Sequence, residues 1–147
     1  HGIQAADLLG RKVVMEGGKG LMLLAGRINA TIERAIQRPG LAEHANALGQ
    51  ALQKVGAATK AAWATGNPGD ALANAVPYMQ AFGHLVIAWT WLDVLLAVPA
   101  DGAQPADEGR VRAARYFFHY ELPRIPAWLR VVETRDPTCA TMPEEAF

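Results

Sequence analysis

The chain has 147 residues, 51% of them hydrophobic and 19% charged, and its 14 basic side chains balance 14 acidic ones. That size suits one domain with a core needing no covalent staples, and the neutral balance argues against a nucleic-acid partner, which favours a basic patch. Cys139 is the only cysteine, so an internal disulfide is excluded and a reducing, cytoplasmic compartment is expected.

The chain opens on His1 rather than Met and runs directly into apolar sequence, which reads as a cut start. Over residues 3–15, Ile3, Leu8, Leu9, Val13 and Val14 alternate with Arg11 and Lys12 in a helical pattern. Gly17, Gly18 and Gly20 then break the helix, because glycine loses the most backbone entropy on folding. Over residues 19–37, Leu21, Leu24, Ile28, Ile32 and Ile36 stand three or four apart on one helix face, and Pro39-Gly40 ends the segment. Residues 41–64 carry the most regular stripe, Leu41, Ala45, Leu48, Leu52, Val55, Thr59 and Ala62, which should face a neighbouring helix.

Asn67-Pro68-Gly69-Asp70 is a helix start, with Asn67 as cap, Pro68 in the first turn and Asp70 reaching back. One helix is expected over Ala71–Val98, kinked at Pro77 by a lost hydrogen bond. Pro99 and residues 100–107 read as a polar loop. Asp107 and Glu108 open the last helix, where Val111, Phe118, Ile125 and Val132 recur every seven residues beside Ala114, Leu122 and Leu129. Pro123 and Pro126 should bend it near residues 122–126. The tail from Asp136 to Phe147 looks irregular. No window alternates with period two, so no sheet is expected. The fold class expected is all-α, an antiparallel helical bundle of about four to five helices.

Several features invite a functional reading. Phe82–Val98 is almost continuously apolar and includes Trp89 and Trp91, but His84 and Asp93 interrupt it. We expect a central helix nearly all covered by its neighbours rather than a membrane span. His44, His84, His119 and Glu121 suggest a metal, yet none pairs with another at the i, i+3 or i, i+4 spacing of carboxylate-bridged bundle sites, so no metal is expected. His119 and Glu121 are two apart and point to different helix faces. His84 is read as a core histidine satisfied by a hydrogen bond, with Asp93 either as its partner or as the cap of a nearby charge. Cys139 has no helix start nearby to activate it. Tyr116, Phe117, Phe118 and Tyr120, close to Arg112 and Arg115, are read as packing residues rather than a ligand platform. From composition and periodicity alone, the chain is a helical bundle, with an interaction or oligomerisation role open.

The opening His1-Gly2-Ile3-Gln4-Ala5-Ala6-Asp7-Leu8-Leu9-Gly10-Arg11-Lys12 resembles a segment of acyl-CoA dehydrogenases. It is most similar to the subgroup with an extra helical C-terminal domain, which includes the methylmercaptopropionyl-CoA dehydrogenases. Asn67-Pro68, Ala71-Leu72-Ala73-Asn74-Ala75-Val76-Pro77-Tyr78 and Phe82-Gly83 resemble the central helix of that extra domain. Ala113-Ala114-Arg115-Tyr116-Phe117 and Glu121-Leu122-Pro123 resemble its last helix.

The resemblance implies an FAD-dependent oxidoreductase of fatty-acid β-oxidation type. In that family the glutamate of a Tyr-Glu-Gly-Thr motif removes the α-proton of an acyl-CoA thioester while the β-hydride passes to the flavin. The base would then stand just upstream of His1, so no catalytic residue is expected within the chain. Gly2, Ile3 and Gln4 match a stretch that passes close to FAD. Residues 1–16 would be the last helix of the dehydrogenase core, 17–135 the extra domain and 136–147 a tail. Partners implied are the rest of the dehydrogenase chain, a second copy in a homodimer, the acyl-CoA substrate and an electron-transfer flavoprotein. The isolated chain is expected to bind no FAD and to be inactive. The alternative is a free-standing helical interaction module.

Overall fold

A computed structural model describes residues 2–100 and 104–146; His1, residues 101–103 of the expected polar loop, and Phe147 lie outside it. The described residues are helical with no strand, arranged as an all-α bundle. Helix α1 spans Gly2–Asp7 and continues as a π-helical turn over Leu8–Lys12. A 3₁₀ turn, Met15–Gly18, follows, in which Gly17 and Gly18 take φ of 71° and 86°. That left-handed backbone is why glycine stands there. Helix α2 is Lys19–Ile36, α3 Ala42–Ala62, α4 Pro68–Leu72, α5 Ala75–Ala97, α6 Pro105–Tyr116 and α7 Ile125–Glu133.

Helices α2, α3, α5 and α7 surround the main core, and α1 lies against α5. Direction follows from the bonds between them. Asp93 of α5 meets Thr31 and Arg34 of α2, and Arg38, just past α2, reaches the last carbonyls of α5, so these helices run parallel. Thr59, late in α3, meets Tyr78, early in α5, so α3 runs antiparallel to both. Arg135, just past α7, donates to Ala61 O at the end of α3, which sets α7 parallel to α3.

The stripes read in α3 and at the end of the chain are buried, whereas in α2 Ile28 is buried with Thr31 and Ala35 while Ile36 is exposed, as is Val111 of the last segment. Ala45, Leu48, Val55, Thr59 and Ala62 of α3 are buried, as are Phe118, Leu122, Ile125, Leu129 and Val132 at the end of the chain. The N-terminal segment joins the same core through Ala5, Leu9 and Val13, and the Trp63 indole N–H donates to Leu9 O at 3.2 Å. Asn67 caps α4 as expected, accepting from Gly69 N–H at 2.8 Å. Asp70 instead accepts from the Thr65 hydroxyl at 2.9 Å, and that hydroxyl oxygen receives the Asn67 N–H.

Three expectations need correction. The helix expected over Ala71–Val98 is two helices, α4 and α5, broken at Ala73-Asn74. The Asn74 side-chain amide donates to Val131 O and Asp136 O, which holds the break open. Pro77 therefore lies in the first turn of α5, where an N–H has no intrahelical partner, and it produces no internal kink. Second, α5 is not nearly all covered. Its buried residues, Ala75, Tyr78, Ala81, Leu85, Ala88, Leu92 and Leu95, form one stripe, and only 28% of its most apolar 18-residue window is buried. Its mean hydropathy of 1.3 and its length would suffice to cross a membrane, but it stands among α1, α2, α3, α6 and α7. Third, the prolines of the last segment change its winding over a longer stretch than 122–126. A π-helical turn over Phe117–Glu121 and a 3₁₀ turn over Leu122–Arg124 separate α6 from α7. Pro123 and Pro126 have no N–H to continue the α-pattern. The last segment also begins earlier than expected, at Pro105, with the Asp107 carboxylate accepting from Gln104 N–H at 3.1 Å.

Candidate functional site

Gly2, Ile3 and Gln4, the residues matched to a flavin-side stretch, form the first turn of α1. All three are exposed, Ile3 by 88%. The opposite side of the same short helix is held by buried Ala5, so the turn is anchored from behind and open in front. Just beyond it, Asp7 pairs with Arg11 at 2.9 Å and Lys12 at 3.8 Å, a local pair on the surface.

The histidines divide into two separate clusters. His44 of α3 stacks on Phe118 with ring centroids 4.3 Å apart, and His119 meets its edge at 6.1 Å. His119 Nε2 stands 3.7 Å from Glu43 Oε1. Burial, then the neighbouring His119, hold the His44 imidazole below its ordinary range, with Glu43 opposing them. His84 of α5 lies elsewhere, edge-on to Trp128 at 4.6 Å and tilted against Phe117 at 5.4 Å. Its Nε2 is buried without a hydrogen-bond partner and faces Glu121 Oε1 at 3.5 Å. Glu121 also pairs with Arg124 at 3.4 Å, and the Arg124 guanidinium lies over the Trp128 ring at 4.8 Å. Among the described residues, no group of three or more His, Cys, Asp or Glu side chains could hold a metal ion.

Asp93 is not the partner of His84. It lies on another face of α5 and accepts from the Thr31 hydroxyl at 3.0 Å and from Arg34 at 3.1 Å. The Trp89 indole N–H donates to the same Thr31 oxygen at 2.8 Å. The physical reason is helical phase: Asp93 is nine residues from His84, about 180° away at 100° per residue.

The aromatic run also divides. Phe118 is buried and Phe117 packs against the core, whereas Tyr116 and Tyr120 stack on each other at 5.0 Å and are 57% and 69% exposed. Packing thus accounts for the phenylalanines and not for the tyrosines. Cys139 is free and exposed in the tail.

Most of the polar chemistry inside the bundle joins one helix to another. Tyr78 is fully buried and bonded to Thr59 at 2.7 Å. Because the Thr59 hydroxyl donates to Val55 O at 2.8 Å, the Tyr78 hydroxyl is the donor between them. Burial pushes the Tyr78 hydroxyl up to about 12, so it stays neutral. Arg38 donates to the carbonyls of Leu95 at 3.2 Å, Leu96 at 2.9 Å and Val98, closing the end of α5. The partners that Thr31, Arg38, Asn74, Trp89 and Arg135 take across the bundle are not readable in the sequence. The one available signal was Arg38 in the last turn before Pro39-Gly40, where a cation suits helix carbonyls. It caps another helix, which local sequence does not reveal.

Two adjoining concavities lie on the α2–α3 side, and another of about 630 Å³ lies on the α6 face over Arg112, Arg115, Tyr116 and Tyr120. A groove of about 700 Å³ runs between α2 and α3 over Ala25, Gly49 and Gly56, and one of about 530 Å³ continues toward Val13 and Trp63.

Comparison with known proteins places this architecture. The family described as acetyl-CoA dehydrogenase C-terminal like matches residues 24–143, from within α2 to the tail. The chain belongs to that family. It corresponds to a C-terminal region of such dehydrogenases. A curated member, the 3-methylmercaptopropionyl-CoA dehydrogenase of Ruegeria pomeroyi, is 36% identical over 111 residues. The alignment covers 71% of this chain and 18% of that protein, so the chain spans less than a fifth of the relative's length. The family match takes in α3 to α7 and most of α2; Gly2, Ile3 and Gln4 precede it.

Proposed function

We propose that this chain is the helical C-terminal part of an FAD-dependent acyl-CoA dehydrogenase that introduces an α,β double bond into an acyl-CoA thioester. The observation that carries the reading is the family match over residues 24–143, supported by the 36% identity to a dehydrogenase acting, by its name, on a CoA thioester. It favours this reading over a free-standing interaction module. The catalytic base, the glutamate of a Tyr-Glu-Gly-Thr motif, belongs to polypeptide preceding His1. Bound FAD supplies the hydride acceptor for that oxidation.

This chain's own contribution is positional. Gly2 leaves its backbone open, since a Cβ there would meet nothing within 4 Å, Ile3 presents an apolar surface and Gln4 a neutral amide. These suit one edge of a flavin site and do not enclose it, because a ligand pocket buries most of its occupant. The other walls come from the rest of the enzyme. Residues 1–16 then extend the dehydrogenase core, 17–135 form the added bundle, and 136–147 the tail. A cytoplasmic homodimer using an electron-transfer flavoprotein completes the reading.

The test is the protein made from the complete coding sequence. We expect a flavin absorbance spectrum, acyl-CoA-dependent dye reduction, and loss of that activity when the upstream glutamate is changed to Gln. A colourless protein, or a sequence other than Tyr-Glu-Gly-Thr ahead of His1, would refute the assignment. Residues 1–147 alone should bind no flavin; a yellow fragment would refute the placement of the site.

A further inference from the structure

We propose that the groove between α2 and α3 is the surface on which the dehydrogenase polypeptide preceding His1 docks, an inference that rests on the function proposed above. The two concavities on this side share Leu21, Met22 and Gly56 and so form one continuous channel. Its α3 wall runs from Ala45 to Lys60 and on to Trp63 and Ala64, roughly 30 Å of chain at 1.5 Å per residue. Among the described lining residues, Lys60 is the one charged side chain; the rest are apolar, small or neutral amides such as Asn46 and Gln53. Contact cores between protein parts are depleted of charge in this way.

The distribution of exposed apolar surface names the occupant. Of the six most exposed large hydrophobic side chains among the described residues, four fall in the first 23 residues, Ile3 at 88%, Met22 at 72%, Leu23 at 62% and Met15 at 57%, and the other two, Tyr120 and Tyr116, stack on each other. Met22 lines the channel itself. Single exposed apolar residues need no explanation, but their concentration at one end of a domain marks surface that something covers. The aligned stretch covers 18% of the relative's length and the chain belongs to a C-terminal family, so in the reading proposed above the bulk of such a protein precedes residue 1. Val13, Val14, Gly17 and Gly18, which follow the N-terminal helix α1 in the chain, line one end of the channel. A second copy of the chain would carry no reason for the exposed surface to gather at that end.

The experiment is methionine oxidation of the full-length flavoprotein, read by peptide mass spectrometry, with Met142 in the tail as internal reference. If oxidation followed exposure in this domain alone, Met22 would react roughly 1.7-fold faster than Met142, the ratio of 72% to 43%. Docking reverses that order, so Met22 and Met15 become the slower pair. Gly56→Arg should then restore fast Met22 oxidation, because a Cβ at Gly56 meets nothing within 4 Å and the side chain fills the channel without disturbing the bundle. Met22 reacting faster than Met142 in the unaltered, flavin-containing protein would overturn the docking alone. A flavin-free preparation would instead overturn the function on which it rests. Protection that disappears on dilution would overturn it in favour of a second copy, and protection unmoved by Gly56→Arg would place the covering segment elsewhere.

Discussion

The buried Tyr78–Thr59 pair offers a sharp test of how α3 and α5 are held together. Tyr78 donates to Thr59, and Thr59 donates to Val55 O. Tyr78→Phe removes the donor and leaves Thr59 bonded to its own helix, so the cost is one buried hydrogen bond, about 1 kcal/mol. Thr59→Val removes the acceptor and strands the phenol hydroxyl in a fully buried site, which costs about 1–3 kcal/mol. The double variant strands nothing and should cost less than Thr59→Val alone. Denaturant unfolding of the three variants reads the order directly.

The same site fixes a pH dependence. The Tyr78 hydroxyl titrates near 10.0 when unfolded and is pushed up to about 12 by burial in the fold. A raised folded value means the stabilisation is fully present below pH 10 and is lost as the pH climbs through 12. Two units correspond to about 3 kcal/mol of stability over that window. Tyr78→Phe should abolish this part of the alkaline loss. An additive double-variant cycle, or identical alkaline unfolding with and without the hydroxyl, would refute the geometry.

Arg38→Ala should cost about 2 kcal/mol in denaturant unfolding, since three carbonyls at the end of α5 lose a charged donor; Arg38→Lys should recover only part, having no planar fork. His44 should titrate below its ordinary value of 6.5 by NMR, and its contribution to stability should be present above that pH and fall away as the pH drops through the folded value. His44→Gln should flatten that acid dependence. Glycine substitutions should split in sign. Gly17→Ala, at φ 71°, should destabilise by about 1–2 kcal/mol. Gly26→Ala, inside α2 with open space around its Cβ, should stabilise by about 0.5–1 kcal/mol in the same unfolding assay.

The flavin-side residues Gly2, Ile3 and Gln4 came from resemblance to a family. Periodicity marks Ile3 only as one apolar residue among several, and the structure shows it facing outward. The α2–α3 channel had no sequence signal. It arises where Ala25, Gly49 and Gly56 leave space between two helices, and Gly49 and Gly56 sit on α3 among residues that otherwise read as a plain amphipathic stripe.

What the sequence determined by itself is local. Helix existence, buried stripes and breaks at Gly17-Gly18, Pro39-Gly40 and Asn67-Pro68 depend on 3.6-residue periodicity and backbone preference, which act within a few residues. Tertiary structure decided everything that joins residues far apart in the chain. Arg38 reaches carbonyls 57 to 60 positions away, Arg135 reaches Ala61, and Asn74 reaches Val131 and Asp136. Pro77 looked like an internal kink until those Asn74 bonds ended the preceding helix. Asp93 looked like a partner for His84 until the packing of α2 claimed it and Glu121 came to face the imidazole. A polar side chain buried on folding takes the partner that packing brings within reach, and that choice belongs to the whole bundle.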